Sequence, residues 1–126
     1  MTARVLVVED NPDIQVALGE LLGHEGFEVS LADNGRIALD RLEAGDMPSW
    51  IVLDLMMPVM DGWEFLRHLD ETGTPHPPIT VLTALSYDAD TRGLEERFGC
   101  RVLSKSTDIG QLLLLAQAYR EAADAA

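Results

Sequence analysis

Five times along this chain a short apolar run is followed by a stretch with helical spacing of its apolar residues. The runs lie at 5–8, 28–32, 50–53, 79–82 and 101–104. After the first, Asn11-Pro12 supplies a helix cap and a first-turn proline, and Ile14, Ala17, Leu18, Leu21 and Leu22 fall on one helical face. Asn34-Gly35 and Gly45 bracket a second helix, and Asp61 caps a third that carries Gly62, Phe65, Leu66 and Leu69. Thr91, Leu94, Glu95 and Phe98 mark a fourth, weaker helix. Ile109, Leu112, Leu113 and Ala116 mark the core stripe of a fifth. Strand–helix alternation of this kind implies a parallel sheet with helices on both faces, because parallel neighbours need crossover connections. The runs at 5–8, 50–53 and 79–82 are the most apolar and belong in the centre. Those at 28–32 and 101–104 carry polar residues and suit the edges. The expected architecture is a single α/β domain, (βα)5 and doubly wound, with five parallel strands in the order 2-1-3-4-5.

At 126 residues the chain suffices for one domain with a single core. No apolar run approaches the length of a membrane span, and the N-terminus lacks the pattern of a signal peptide. A single cysteine, Cys100, excludes an internal disulfide, so a cytoplasmic location is expected. Acidic residues outnumber basic ones 22 to 9, giving a net charge of −13. That balance argues against direct nucleic-acid binding, which needs Lys and Arg on phosphates. It suits a cation or a basic partner surface.

In an open parallel sheet, ligands bind beyond the carboxyl ends of the strands. The first strand is followed by Glu9 and Asp10, the third by Asp54, the fourth ends at Thr83, and Lys105 lies just past the fifth. Taken singly, each has an ordinary explanation: a helix cap, a β-branched strand residue or a solvated lysine. Together they bring three carboxylates, a hydroxyl and an ammonium to one edge. Three converging acids are costly unless a cation neutralises them, and hard oxygen ligands select Mg²⁺ or a similar ion such as Mn²⁺. Asp10 and Asp54 are the expected direct ligands, with Glu9 acting through water and the main-chain carbonyl of Met56 completing the set. Asp54 is then placed as a nucleophile toward a phosphoryl group, with Lys105 and Thr83 receiving its oxygens.

The stretches VLVVEDNPDI at 5–14, VLDLMMPVMDG at 52–62, VLTA at 81–84 and SK at 104–105 resemble the receiver domain of bacterial two-component response regulators. The likeness covers nearly the whole chain and implies the flavodoxin-like, chemotaxis-receiver form of the sheet. On this resemblance residues 1–126 are one receiver domain, with no output domain. It implies transfer of a phosphoryl group from a sensor histidine kinase or histidine phosphotransfer protein to Asp54, Mg²⁺ dependence, and slow self-catalysed dephosphorylation rather than metabolic catalysis. It also implies that Thr83 and its loop, with Ala84, move on phosphorylation and reshape the face of the fourth helix, fifth strand and fifth helix for a downstream protein or a fused output domain. Two positions depart from the family. Val102 stands where an aromatic residue usually rotates with the switch, and Ser106 stands where a proline usually follows the lysine. Both keep open a degenerate receiver that binds partners without phosphorylation.

Met56, two residues after Asp54, and Leu85, two after Thr83, are apolar and cannot orient an attacking water, which suggests slow dephosphorylation. Leu115, Ala118, Tyr119 and Ala122 form a second stripe on the last helix, read either as a partly covered, tolerated surface or as a partner or homodimer face. His24, His68 and His76 have no metal-ligand spacing. Two rivals come from other classes. An aspartyl-nucleophile phosphatase usually has a second Asp two residues on, where this chain has Met56 or Pro12. A flavodoxin-type binding module needs a phosphate-cradling loop, where this chain has Glu-Asp-Asn-Pro-Asp.

Overall fold

The computed structural model describes the backbone at residues 2–84 and 89–125 and the side chains at 2–84 and 91–125. The element order is β1 (Arg4–Val8), α1 (Pro12–His24), β2 (Glu28–Ala32), α2 (Gly35–Glu43), β3 (Trp50–Leu53), α3 (Gly62–Thr72), β4 (Ile79–Thr83), α4 (Ala89–Phe98), β5 (Arg101–Ser104) and α5 (Ile109–Ala125). The five strands pair in parallel in the order β2-β1-β3-β4-β5, as the polarity of the runs implies. Register is continuous at the centre, with Val5 opposite Trp50 and Val8 opposite Leu53.

Strand periodicity divides the core in two. Leu6, Val8, Ile51, Leu53 and Val81 face α2 and α3, where Leu39, Leu42, Phe65 and Leu69 close the layer. Val5, Val7, Trp50, Val52 and Leu82 face α1 and α5, meeting Leu18, Leu22, Leu112 and Ala116. Trp50 anchors this second layer. Its indole Nε1 donates to Thr80 Oγ1 at 3.0 Å, and its ring lies 5.6 Å from Phe27 and 5.2 Å from Tyr119.

The helix starts follow the caps legible in the sequence. Asn11 Oδ1 accepts from the backbone N–H of Asp13 and Ile14. Asn34 Oδ1 accepts from Ile37 N, and Asp61 Oδ1 accepts from Glu64 N. Each satisfies an otherwise unpaired first-turn donor.

On the last helix Leu112 and Ala116 are buried and Ile109 packs against them, as the core stripe predicts. Leu115 and Tyr119 are half-buried and pack against the same cluster, while Ala118 between them is exposed. Counting i, i+3, i+4 and i+7 from Leu112 gives Leu115, Ala116 and Tyr119, and the Trp50 ring holds Tyr119 on that face. Leu113 is half-buried and outside the core cluster, while Leu114 turns to solvent at 67% exposure. With four leucines in a row, composition does not say which one faces inward; the register of α5 on the sheet does.

Candidate functional site

The site is built where β1, β3, β4 and β5 release their carboxyl ends. Glu9 continues the β1 ladder, its N–H donating to Ala32 O at 3.0 Å. Asp54 continues β3 in the same way, donating to Val8 O at 2.9 Å. Both side chains therefore leave the sheet at fixed positions. Glu9 is 2% exposed and Asp54 6%, whereas Asp10 is exposed. One carboxylate oxygen from each of the three lies within 4.8 Å of the others. Because Asn11 caps α1, Asp10 is not the cap residue.

Lys105 supplies the positive charge. Its N–H donates to Thr83 O at 2.9 Å, tying the end of β5 to β4. Its Nζ donates to Glu9 Oε2 at 2.9 Å and stands 3.5 Å from Asp54 Oδ1. Asp54 Oδ1 also accepts from Leu55 N at 2.9 Å. Burial raises the Glu9 pKa and the Asp54 charge adds to the rise, while the Lys105 ammonium pulls against both. Three acids against one lysine leave an excess of negative charge in a nearly buried place. That donor set, all hard oxygens, fits a divalent cation.

Thr83 is buried at the end of β4, opposite Ser104 in the ladder, and Ala84 beside it is exposed. Met56 turns its side chain to solvent, at 59% exposure, while Met57 is buried. Val102 is buried among the α4-side core residues. Among the described residues no peptide bond is cis; Ser106 follows Lys105 in the ordinary trans form. Leu85 lies outside the described residues.

Several supporting residues carried no signal of their own in the sequence. Gln15 Nε2 donates to Glu9 O at 2.6 Å and to Asp33 Oδ1 at 2.8 Å, pinning the β1 end to α1. Asp108 Oδ2 accepts from Ser104 N at 2.8 Å, and Ser106 N donates to Ser104 Oγ, closing the loop that carries Lys105. Gly62 sits so near the acceptor strand that a Cβ there would lie 2.7 Å from Asp54 O and 2.8 Å from Leu55 Cα. Only hydrogen fits.

A doubly wound parallel sheet with an acidic cluster and a lysine at its carboxyl edge defines a class of α/β domains with a charged site at the strand ends. Comparison with known proteins makes the assignment specific: the response regulator receiver domain family matches residues 5–117, and the chain belongs to it. Response regulator MprA of Mycolicibacterium vanbaalenii is 48% identical over 84 residues, 67% of this chain and 36% of that protein. The chain thus spans about a third of the length of the curated relatives it matches. Response regulator TrrA of Thermotoga maritima, solved with Mg²⁺ and BeF, is 28% identical with a TM-score of 0.76, covering 93% of this chain and 98% of that one. A CheY-like receiver domain protein of Methanospirillum hungatei is also 28% identical, with a TM-score of 0.77 and 96% of each chain covered. No described helix is long and apolar enough to cross a membrane.

Proposed function

We propose that this domain is a phosphorylation-activated signalling switch in which Asp54 accepts a phosphoryl group from the phosphohistidine of a sensor histidine kinase or histidine phosphotransfer protein. The observation that supports this most is the clustering of Glu9, Asp10 and Asp54 within 4.8 Å, with Lys105 reaching both Glu9 and Asp54. An Asp54 oxygen attacks phosphorus and the P–N bond breaks. The imidazole leaves neutral, keeping the bonding electron pair and taking up one proton. Bound Mg²⁺ or Mn²⁺ would neutralise charge on the transferring group. Asp10, Asp54 and the main-chain carbonyl of Met56 would hold the ion, with Glu9 acting through water. Lys105 and the Thr83 hydroxyl take the phosphoryl oxygens.

The added charge biases a two-state element, the loop after β4 beginning at Ala84, and through it the α4–β5–α5 face. Because Val102 is a packed valine, this route runs through the loop rather than through a rotating ring. The domain's only chemistry is its own phosphorylation and slow dephosphorylation; the exposed apolar Met56 offers water no hydrogen-bond partner. Its location is the cytoplasm, and its output passes to a protein target or a fused domain. A homodimer contact on α5 would use the exposed Leu114 and Ala118 with the half-buried Leu115 and Tyr119 beside them.

Incubation with acetyl phosphate and Mg²⁺, followed by intact-protein mass, tests this reading. One phosphoryl group is expected on the parent and none on Asp54→Asn or without divalent cation. No mass gain, together with no beryllofluoride–Mg²⁺ complex, would leave a partner-binding module instead.

A further inference from the structure

A cavity lies between the ends of α3 and α4, at the edge of the sheet opposite Asp54. Gly73 and Gly99 follow these two helices with φ 67° and 69°, the left-handed conformation that turns a chain away from its helix. The space left between the helix ends is about 170 Å³ and sits over the starts of β4 and β5. Its floor is apolar. Leu66, Leu69, Ile79 and Cys100 line it and are nearly buried, and Phe98 adds a ring packed against the same core. The Cys100 thiol donates to Leu94 O at 3.6 Å, so it leaves no free donor in the floor. An apolar cavity of roughly 150 Å³ holds a benzene-sized guest.

The rest of the lining carries both signs of charge. Asp70 comes from α3 and Arg97 from α4, and both are exposed. Their closest atoms, Arg97 Nη2 and Asp70 Oδ2, stand 3.8 Å apart, too far for a hydrogen bond. An exposed pair at that distance is weak, so either group can take another partner at little cost. The Arg97 guanidinium lies 5.0 Å from the centre of the Phe98 ring, over its face, which holds it beside the apolar floor. His76 also lines the cavity. Its Nδ1–H donates to Pro77 O at 2.8 Å, because a carbonyl only accepts. The neutral ring then offers Nε2 as an acceptor.

We infer that this cavity binds a free α-amino acid with an apolar side chain of about leucine's size. The side chain fills the floor, the carboxylate pairs with Arg97, and the ammonium pairs with Asp70, with His76 Nε2 as a further acceptor. A zwitterion satisfies both charges at once. It has no net charge, so the field of a chain at −13 does not repel it as it would repel a simple carboxylate. The site is separate from the acceptor edge, and its test needs no phosphodonor.

Leucine is the probe, titrated into isotope-labelled protein while amide shifts are followed by NMR. Saturation is expected with a Kd of about 1 mM or tighter, and with shifts centred on residues 66–70 and 97–100. Isopentylamine lacks the carboxylate, isocaproate lacks the ammonium and glycine lacks the side chain. Each should bind at least about fivefold more weakly than leucine. Arg97→Gln and Asp70→Asn change exposed residues, should melt near the parent, and should weaken leucine by about fivefold or more. Cys100→Met pushes a longer side chain into the floor and should abolish saturation; if it does not fold, the two surface variants decide. No saturable shift with leucine up to about 10 mM, or shifts centred elsewhere, overturns the inference. Binding of isopentylamine or isocaproate as tight as that of leucine also overturns it, as does unchanged affinity in Arg97→Gln and Asp70→Asn.

Discussion

The excess negative charge at the sheet edge makes Asp10→Asn an informative perturbation. The change keeps the shape of the side chain and removes one charge from a set within 4.8 Å. Because Asn11 is the α1 cap, no cap is lost. Two carboxylates at that separation repel by about 1 kcal/mol in a water-like dielectric and about 3.5 kcal/mol at an effective dielectric of 20. Asp10 is exposed, so the lower figure applies. Its two neighbours then contribute about 2 kcal/mol on this Coulomb scale, which the Lys105 charge offsets in part. An acid near the start of α1 is itself favourable by about 0.5 kcal/mol. Without divalent cation, Asp10→Asn should be more stable by about 1 kcal/mol, or roughly 3–5 °C in Tm for a domain this size. The order reverses with Mg²⁺. The parent gains about 2.7 kcal/mol at a hundredfold excess over its Kd, and the variant gains much less. Circular-dichroism melts with and without MgCl₂, at ionic strength held constant with NaCl to fix screening, measure both. A variant less stable than the parent without metal, or one with an equal response to Mg²⁺, would refute the reasoning.

Gly62→Ala should destabilise by about 1–2 kcal/mol, because overpacking against backbone outweighs the gain in helix propensity. Gly23→Ala, with nothing within 4 Å of the added carbon, should be neutral or stabilising, and urea melts of both decide the matter. Trp50→Phe should cost about 2–4 kcal/mol through lost volume and an unpaired Thr80 hydroxyl, and adding Thr80→Val should recover part of it in the same assay. Burial pushes the Cys100 thiol up to about 11, so alkylation by iodoacetamide at pH 8 should track global unfolding. Rapid alkylation of the native protein would contradict that burial. The folded protein holds the Glu9 proton to higher pH than the unfolded chain, whose ordinary value is 4.5. Metal-free stability should therefore fall, from this group, as pH rises from 4.5 through the raised value, and Glu9→Gln should remove that slope in urea titrations across pH.

The sheet was legible because its strands differ in polarity: Glu28 and Ser30 mark one edge, and the solid apolar runs at 50–53 and 79–82 mark the centre. The acid cluster was legible because strand ends share one edge in a parallel sheet, so Glu9, Asp10 and Asp54 converge without any side-chain detail. The facing of α5 was legible in Leu112 and Ala116, which are buried, but not in Leu113, which is half-buried outside the core cluster. Four consecutive leucines offer several helical stripes, and packing on Trp50 selects among them. Nor were Gln15 and Asp108, whose roles depend on partners 18 and 4 residues away. Val59 reads as an ordinary apolar residue until its φ angle of 69° is known.

The most direct test of the central claim is to place the phosphoryl group on the chain. After reaction with acetyl phosphate and Mg²⁺, borohydride reduces an acyl phosphate to an alcohol, converting a phosphoaspartate to homoserine, and peptide mass spectrometry locates it. Homoserine at position 54, dependent on divalent cation, is the predicted result. Label at another residue, or none at 54 in protein shown to have gained a phosphoryl group, would contradict the assignment of Asp54.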